Sequence, residues 1–478
     1  MFKRRILGAL MVITMLAGIL AGCNSGGGST TVAATQAATQ AATQAATQAA
    51  TDAATQVATD AATQAGGADS NNSGGDSNGD GIGGENFSGT LTAWSWDVAR
   101  LYLQDAAAEF KTMHPSLEIV VEEMGTDQVY DKLTTSLATG MGLPDLVTIE
   151  GEQFSRFSTN FPNAFVDVTD SITESEWLPI KLAEATANGR ILGYPWDAAP
   201  VGFWYRSDVF DEAGVDPDDI KTWDDVITFG KVIKDKTGYK MLPMATSRND
   251  IVYRIILMQQ NSWYFDDDGN TRMNSPESIK AMEMVKKLYE AGITQDHMDW
   301  DDYVGTITQN KVACFAEAVW MGGSIKEDAP DAAGLWRVMA MPVLDGTSNG
   351  AASNGGSLLA VPSSTKNSVA ALAFAKYAMT DVKCQLDGFV NYDLYPSYIP
   401  VYNDPSFVSG GDPFYGGQNI NELFAGIAQK MPFINFTPNF AEAADSSKNA
   451  VAQVLLEGAD VDAAMNKLQN ELVAKFGR

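Results

Sequence analysis

The sequence predicts an α/β protein built as two lobes, and two observations carry that reading. From about Ser88 to Arg478, short apolar strands alternate with segments of helical periodicity, which implies a parallel sheet covered on both faces. This part is also roughly 390 residues long, more than one hydrophobic core can organise.

The elements follow in chain order. Thr90–Trp96 reads as a strand. Val98–Met113 carries apolar residues at helical spacing (Val98, Leu101, Ala106, Phe110, Met113), and His114-Pro115 ends it. Leu117–Glu122 is a second strand and Val129–Leu137 a short helix. After the turn Gly142-Leu143-Pro144-Asp145, the strand Leu146–Ile149 is apolar enough to be buried on both faces. Ile191–Tyr194 and Gly202–Tyr205 read as strands. Val209–Ala213 and Trp223–Lys236 read as helices, the second capped by Thr222. Ser275–Ala291 is a helix with Gly292 at its C-terminal cap. Lys311–Ala316, Leu335–Met341 and Leu358–Val361 are strands, and Asn367–Met379 and Met465–Phe476 are helices.

The first 87 residues do not join this pattern. Lys3, Arg4 and Arg5 precede the apolar run Ile6–Leu20, which is short for a bilayer span and fits a secretory signal over residues 1–22. The run ends in Leu20-Ala21-Gly22-Cys23, which resembles the lipobox of bacterial lipoproteins, in which Cys23 is diacylated and becomes the N-terminus. An ordinary signal peptide beside a Cys is the alternative. Acyl chains contribute about 0.8 kcal/mol per buried CH2, so two or three anchor a protein durably. Residues 23–87 then form a tether. Ala33–Gln64 repeats Ala-Ala-Thr-Gln, with Asp at Asp52 and Asp60, and a period of four leaves no persistent apolar stripe on a helix of 3.6. Gly66–Gly84 is mostly Gly, Asn, Asp and Ser.

Composition narrows the function. Sixty acidic against 32 basic residues give a formal charge of −28, which disfavours nucleic-acid binding. Beyond Cys23, only Cys314 and Cys384 remain, read as buried thiols with a single bridge as the alternative. Two histidines, His114 and His297, leave little for a metal centre or a triad, and no cofactor or metal is expected. The chain has no Gly-x-Ser-x-Gly elbow, His-Glu-x-x-His or Gly-rich phosphate loop.

Several segments taken together resemble the bacterial extracellular solute-binding family that includes maltose-binding protein. They are Leu91–Trp96 with Phe110-Lys111-Thr112-Met113-His114-Pro115, then Gly142–Val147, then Gly189–Pro195 leading to Phe203–Phe210. Lys221-Thr222-Trp223-Asp224-Asp225, Lys311–Phe315 with Trp320-Met321-Gly322, and Gly355-Gly356-Ser357 follow in the family's order. The resemblance implies a type II periplasmic-binding-protein-like fold with a ligand cleft between lobes. Lobe I is expected at 88–198 and 342–388 and lobe II at 199–341 and 389–478, with crossings near Asp197–Val201, Met341–Gly346 and Cys384–Asn391. It also implies a binding role and no enzymatic one: a monomer, lipid-anchored at the extracellular or periplasmic face of the cell membrane, captures a carbohydrate, most simply an oligosaccharide, and hands it to the permease subunits of an ABC transporter.

Ligands of open α/β sheets sit beyond the carboxyl ends of strands, so candidates are sought there. Sugars offer apolar C–H faces to aromatic rings and hydroxyl rims to carboxylates and amides. The first strand is followed by Trp94, Trp96 and Asp97, although one indole suits the core and Asp97 also suits a helix cap. The third is followed by Glu150 and Gln153. Trp196 and Asp197 lie at the first crossing. Arg248 and Asp250, which equally suit a surface pair, come next, then Trp263. Trp320 and Met321 follow the strand at Cys314, with Trp320 at a position where the family stacks an aromatic ring on sugar. Gly355 and Gly356, then Tyr392, Asp393 and Tyr395, complete the set. Trp204, Trp223 and Trp336 read as core, and Trp177 and Trp300 carry no assignment. Two other readings compete: the same fold holding a peptide, polyamine or polyol phosphate, and a secreted glycoside hydrolase, which requires two facing carboxylates.

Replacing Cys23 with Ser should prevent lipidation and release the protein or leave its precursor. A Cys23→Ser protein that fractionates with membranes at the normal mature mass would refute the lipobox.

Overall fold

The computed structural model describes residues 86–477, so the signal segment, Cys23 and nearly all of the tether lie outside the described residues. Two sheets organise the rest. The first is built from β1 (Ser88–Ser95), β2 (Ser116–Glu123), β3 (Leu146–Glu150) and the short β4 (Tyr194–Pro195). β5 (Asp197–Ala198) leads on to β6 (Val201–Arg206), which with β7 (Cys314–Ala318) and β8 (Trp336–Met339) makes the second. β9 (Ser357–Ala360) returns to the first sheet, whose order is β2-β1-β3-β9-β4, and β10 (Tyr395–Pro396) pairs with β5.

The parallel expectation holds for β1 with β2 and β3, in register Ser88 with Ser116 and Ala93 with Leu146. β9 runs antiparallel to both β3 and β4, and the second sheet is antiparallel throughout. The reason is the connection. A helix between neighbouring strands restores chain direction, but β6 and β7 are separated by a long helical excursion that brings the chain back the other way.

The helices are α1 (Asp97–Met113), α2 (Thr126–Thr139), α3 (Gly151–Asn160), α4 (Pro179–Glu184), α5 (Ser207–Ala213) and α6 (Trp223–Thr237). Then come α7 (Ile251–Met258), α8 (Pro276–Glu290), α9 (Trp300–Thr308), α10 (Met321–Asp328) and α11 (Ser368–Thr380). α12 (Val382–Tyr392), α13 (Ile420–Ala428), α14 (Phe440–Leu456) and α15 (Val461–Phe476) complete the set. Local chemistry explains their ends. Thr222 and Asp225 form a reciprocal capping box at α6, each side chain accepting the other's backbone N–H at 3.1 and 2.8 Å. Asp381 accepts the Cys384 N–H at 2.8 Å and starts α12, which runs through the whole segment Cys384–Asn391 expected to be a crossing.

Three cores form. One joins β1, β3, α1 and α11 around Leu91, Phe110 and Phe374. A second joins β6, α6, α7 and α15 around Phe203, Trp223 and Leu472. A third covers the other face of β6 and β7 with Trp204, Phe315, Trp336 and Phe424. Cys314 lies in the second and Cys384 in the first, both free thiols. Met341, Ala351 and Ala352 pack in the second and third cores, so the chain passes back between sheets at 353–356 rather than at Met341–Gly346. α12 carries the last passage: Cys384 packs in the first core and Phe389 in the third.

Gly356 lies where these passages meet. Its φ is +84°, and an added Cβ would stand 2.6 Å from the Asp197 carbonyl oxygen and 2.7 Å from the Lys181 Nζ. Gly355 has a similar φ of +83°, but its Cβ would meet nothing nearer than 3.5 Å. Gly356→Ala should therefore lose more stability than Gly355→Ala, the backbone strain alone costing about 1–3 kcal/mol at either site. Chemical denaturation of the two variants checks this, and equal midpoints would contradict the packing at Gly356.

Candidate functional site

Trp320 is the residue on which the site is built. It precedes α10, is half-buried, and packs against all three cores. Its Nε1 donates to the Asn354 carbonyl at 3.0 Å. The Asn354 side chain donates to Glu317 Oε1 at 2.7 Å, and Glu317 also accepts from the Tyr303 hydroxyl at 3.2 Å and the Ala318 N–H at 2.9 Å. This chain of bonds holds the indole edge and leaves its faces to the surroundings. Gly355 lies beside it: a Cβ there would be 3.5 Å from Trp320 Nε1 and 3.9 Å from Glu150 Oε1.

Glu150 comes from the other sheet, at the end of β3. The Tyr130 hydroxyl donates to its Oε2 at 2.7 Å and accepts its N–H at 3.1 Å. Tyr130 meets Trp96 edge-on, with ring centroids 6.0 Å apart. Trp96 is half-buried at the N-cap of α1. Asp97 has φ 46°, in the left-handed region, and its carboxylate accepts from Ser324 Oγ of α10 at 3.2 Å instead of capping α1. Gly355 thus stands between Trp320 and Glu150, Asp97 reaches α10 just past Trp320, and Gln153 lies half-buried three residues past Glu150 in α3.

Other candidates lie elsewhere. Trp94 is buried in the first core, with the Lys132 ammonium 4.1 Å above its ring. It lies within β1, whereas Trp96 follows the strand at the N-cap of α1. Trp196 packs on Tyr102 in the first core. Asp197 is buried and accepts the Ser357 N–H at 2.8 Å, a structural role at the passage between sheets. Arg248 is exposed and does not pair with Asp250. Asp250 is buried, takes Arg254 Nε at 3.1 Å and accepts from the Tyr264 hydroxyl. Trp263 is buried against Phe440, its Nε1 without a hydrogen-bond partner. Met321 points into the third core, because α10 begins there and turns it away from Trp320. Gly356 is enclosed by backbone. Tyr392 donates to Asp105 Oδ2 at 2.5 Å between α12 and α1, away from Trp320. Asp393 is the left-handed C-cap of α12 and binds the Lys326 ammonium at 2.9 Å, and Tyr395 is core.

Four residues near the site escaped the sequence reading: Tyr130, Ser324, Trp300 and Arg254. Arg254 Nη1 reaches Glu152 Oε2 of α3 at 3.0 Å and so ties the two halves together beside Glu150. A lone charge in the apolar run Ile251–Met258 was its signal, since a charge so placed needs a buried partner.

Burial dominates the electrostatics. It pushes the Glu150 carboxyl to about 7, Glu152 adding to the rise. Burial pushes Glu317 to about 7 against the pull of its hydrogen bonds, and Asp97 and Asp197 to about 6. A carboxyl near neutrality can accept or donate a hydrogen bond, which suits hydroxyl groups. Among the described residues no group of acids, histidines and cysteines is arranged to hold a metal ion, and no helix is long and apolar enough to cross a membrane.

A family profile described as bacterial extracellular solute-binding protein matches residues 93–382, and the chain belongs to that family. Its similarity to a lactose-binding protein of Rhizobium radiobacter is 29% identity over 402 residues, 82% of this chain and 94% of that one. An arabinooligosaccharide-binding protein of Halalkalibacterium halodurans is 26% identical over 415 residues, 82% and 91% of the two chains. The fold matches that of an ABC transporter-associated binding protein from B. animalis subsp. lactis Bl-04, solved with beta-1,6-galactobiose. There the TM-score is 0.71 at 21% identity, covering 81% of this chain and 98% of that one.

The raised carboxyls make stability depend on pH. The folded state holds these protons more tightly than the unfolded chain, where the carboxyls titrate near 3.8 and 4.5. Their stabilising contribution is complete below those values and is lost as pH rises through 6 to 7. Burial lowers His297, which works in the opposite direction as a single group. The unliganded protein should melt at a higher temperature at pH 5 than at pH 8. The reverse order in calorimetry would mean that these acids are solvated and ionised.

Proposed function

We propose that this protein captures a carbohydrate in the cleft around Trp320 and delivers it to the permease of an ABC transporter. The single observation that carries the reading is the arrangement at Trp320. An indole fixed at its Nε1 edge by Asn354 stands on one side of Gly355, and the Glu150 carboxyl, pushed near neutrality by burial, stands on the other. Ring and carboxyl match the apolar face and hydroxyl rim of a neutral sugar. The ligands after which the relatives are named, lactose and arabino-oligosaccharides, and the galactobiose bound by the structural neighbour favour the same class. A phosphorylated or otherwise anionic ligand is disfavoured, because acids crowd the gap and Arg254 is already held by Glu152 and Asp250.

The receptor reading is preferred to a glycoside hydrolase for a chemical reason. Hydrolysis needs two carboxyls free to face one glycosidic bond. Glu317, the second acid with a strongly raised carboxyl, is fully buried and its oxygens are occupied by Asn354, Ala318 and Tyr303. In the same reading one lobe is 88–198 with the chain from the passage at 353–356 to 388, and the other is 199–352 with 389–478. The protein works as a monomer, lipid-anchored through Cys23 at the outer face of the cell membrane.

Calorimetric and tryptophan-fluorescence titration with lactose, galacto-oligosaccharides and arabino-oligosaccharides tests this. Binding without hydrolysis products is expected. Trp320→Ala should weaken it about tenfold to a hundredfold, the scale of one lost ring–ligand stacking contact. Saturable release of shorter sugars would make the protein an enzyme, and failure to bind any member of the panel would remove the carbohydrate reading.

A further inference from the structure

We propose that Tyr130 is a positioning residue for recognition: its hydroxyl occupies one oxygen of Glu150 and leaves the other, Oε1, as the acceptor that a sugar hydroxyl meets in the gap at Gly355. The inference rests on the carbohydrate reading and deepens it by naming the group that orients the polar half of the site.

The Tyr130 hydroxyl bonds twice to the same residue. It accepts the Glu150 backbone N–H at 3.1 Å and donates its own proton to Oε2 at 2.7 Å. Main chain and side chain of Glu150 are thereby held to one point at the end of β3. That point is itself fixed. Tyr130 is buried in α2, its ring centroid 6.0 Å from that of Trp96, which it meets edge-on, and 5.8 Å from that of Phe157. Glu150 Oε1 lies on the side of Gly355, where an added Cβ would stand 3.9 Å from it. The two oxygens of one carboxyl are thus divided, Oε2 to the protein and Oε1 to the gap.

The protons follow from this division. Burial first and Glu150 second hold the Tyr130 phenol well above its ordinary range, so it stays a donor at any working pH. Oε2 already accepts that proton, so a proton taken up by Glu150 resides on Oε1. Burial carries the Glu150 carboxyl to about 7; Glu152 of α3 and Asp197 of β5 add to the rise, while Tyr130 and Arg254 of α7 oppose it. The Lys181–Glu184 pair of α4 stands against Gly151, one residue on. Oε1 is therefore an acceptor above about pH 7 and a hydroxyl donor below it. A hydroxyl donating to an ionised carboxylate makes the stronger bond, so affinity should rise as pH passes upward through this range. Without the Tyr130 hydroxyl the ionised form loses one of its donors, so the carboxyl should titrate at higher pH and be free to turn.

The test uses the mature protein, Tyr130→Phe, Glu150→Ala and the double variant. Tyr130→Phe keeps the ring with its packing and removes only the hydroxyl. Each protein is titrated by calorimetry at pH 6 and pH 8 with lactose, galacto-oligosaccharides and arabino-oligosaccharides. The Glu150 carboxyl is followed without ligand by NMR of labelled glutamate, its signal identified by its loss in Glu150→Ala. Wild type should bind more tightly at pH 8 than at pH 6. Tyr130→Phe should lose about tenfold at pH 8, on the scale of one hydrogen bond to a charged group, and its Glu150 signal should titrate at higher pH. In the Glu150→Ala background the same substitution should cost almost nothing further. An unchanged affinity in Tyr130→Phe, an equal loss with and without the Glu150 carboxyl, or a Glu150 signal that titrates as in wild type would overturn the positioning role and leave the carbohydrate reading intact. A wild type that binds no saccharide would overturn that reading and the role of Tyr130 within it.

Discussion

The bond from the Ser357 N–H to the buried Asp197 carboxylate, 2.8 Å long, anchors the place where the chain changes sheets. Trp196 donates its N–H to the Ser357 carbonyl at 3.0 Å and accepts the Ser397 N–H at 2.8 Å, so three segments distant in sequence are joined within a few residues. β5 and β10 add a ladder only two residues long. Such short ladders leave few dihedrals to carry any rotation of one half against the other, which is the geometry of a hinge. Glycine at 356 follows directly, since the Asp197 carbonyl and the Lys181 ammonium occupy the space of a side chain.

The electrostatics around this joint are those of buried acids partly compensated. Lys181 pairs with Glu184 and lies near Asp197, and Arg254 pairs with Glu152 and Asp250. A buried pair gains little net stability once desolvation is counted, but removing one partner leaves an uncompensated charge. The Arg254–Glu152 contact is therefore better understood as setting the register of the two halves than as holding them together. Glu150 has no cation of its own at hydrogen-bonding distance and settles near neutrality instead, its carboxyl shared with the neutral Tyr130 hydroxyl. The protein's strong overall negative charge acts on solubility and on which ligands approach, while the proposed matching of sugar hydroxyls rests on this carboxyl.

Much of the fold was legible because its signals are local. The strands at Thr90 and Leu146 and the helix capped by Thr222 rest on patterns a few residues long, and each was placed within a few residues of its observed ends. The antiparallel second sheet was not legible, because it depends on where a distant strand returns. The helix at Val382 was missed for another reason: its glycine and polar residues read as a connection, while the Asp381 cap that starts it is a single residue. The site divided along the same line. Trp320 and Glu150 follow strands and could be found by position. Tyr130 could not, because it reaches Glu150 from a helix twenty residues earlier in the chain. Trp94, Trp196 and Tyr395 show the converse: aromatic residues next to strand ends also build cores.

On the proposed reading, the position of Trp320 links recognition to the arrangement of the halves. Its ring packs against all three cores, while Glu150 ends β3 of the first sheet and Asp97, which reaches α10 through Ser324, opens the helix that follows β1. A ligand lying on Trp320 and reaching Glu150 makes both sets of contacts only when the halves stand close. A ligand shifts a conformational equilibrium by no more than its difference in affinity for the two states. Contacts divided between two bodies supply that difference, and a site confined to one sheet would not. On this argument Glu150 matters less as an additional hydrogen bond than as the contact through which an occupied site differs from an empty one. On the proposed reading, removing the Trp320 ring should weaken binding in either arrangement, whereas removing the Glu150 carboxyl should weaken it chiefly in the closed one.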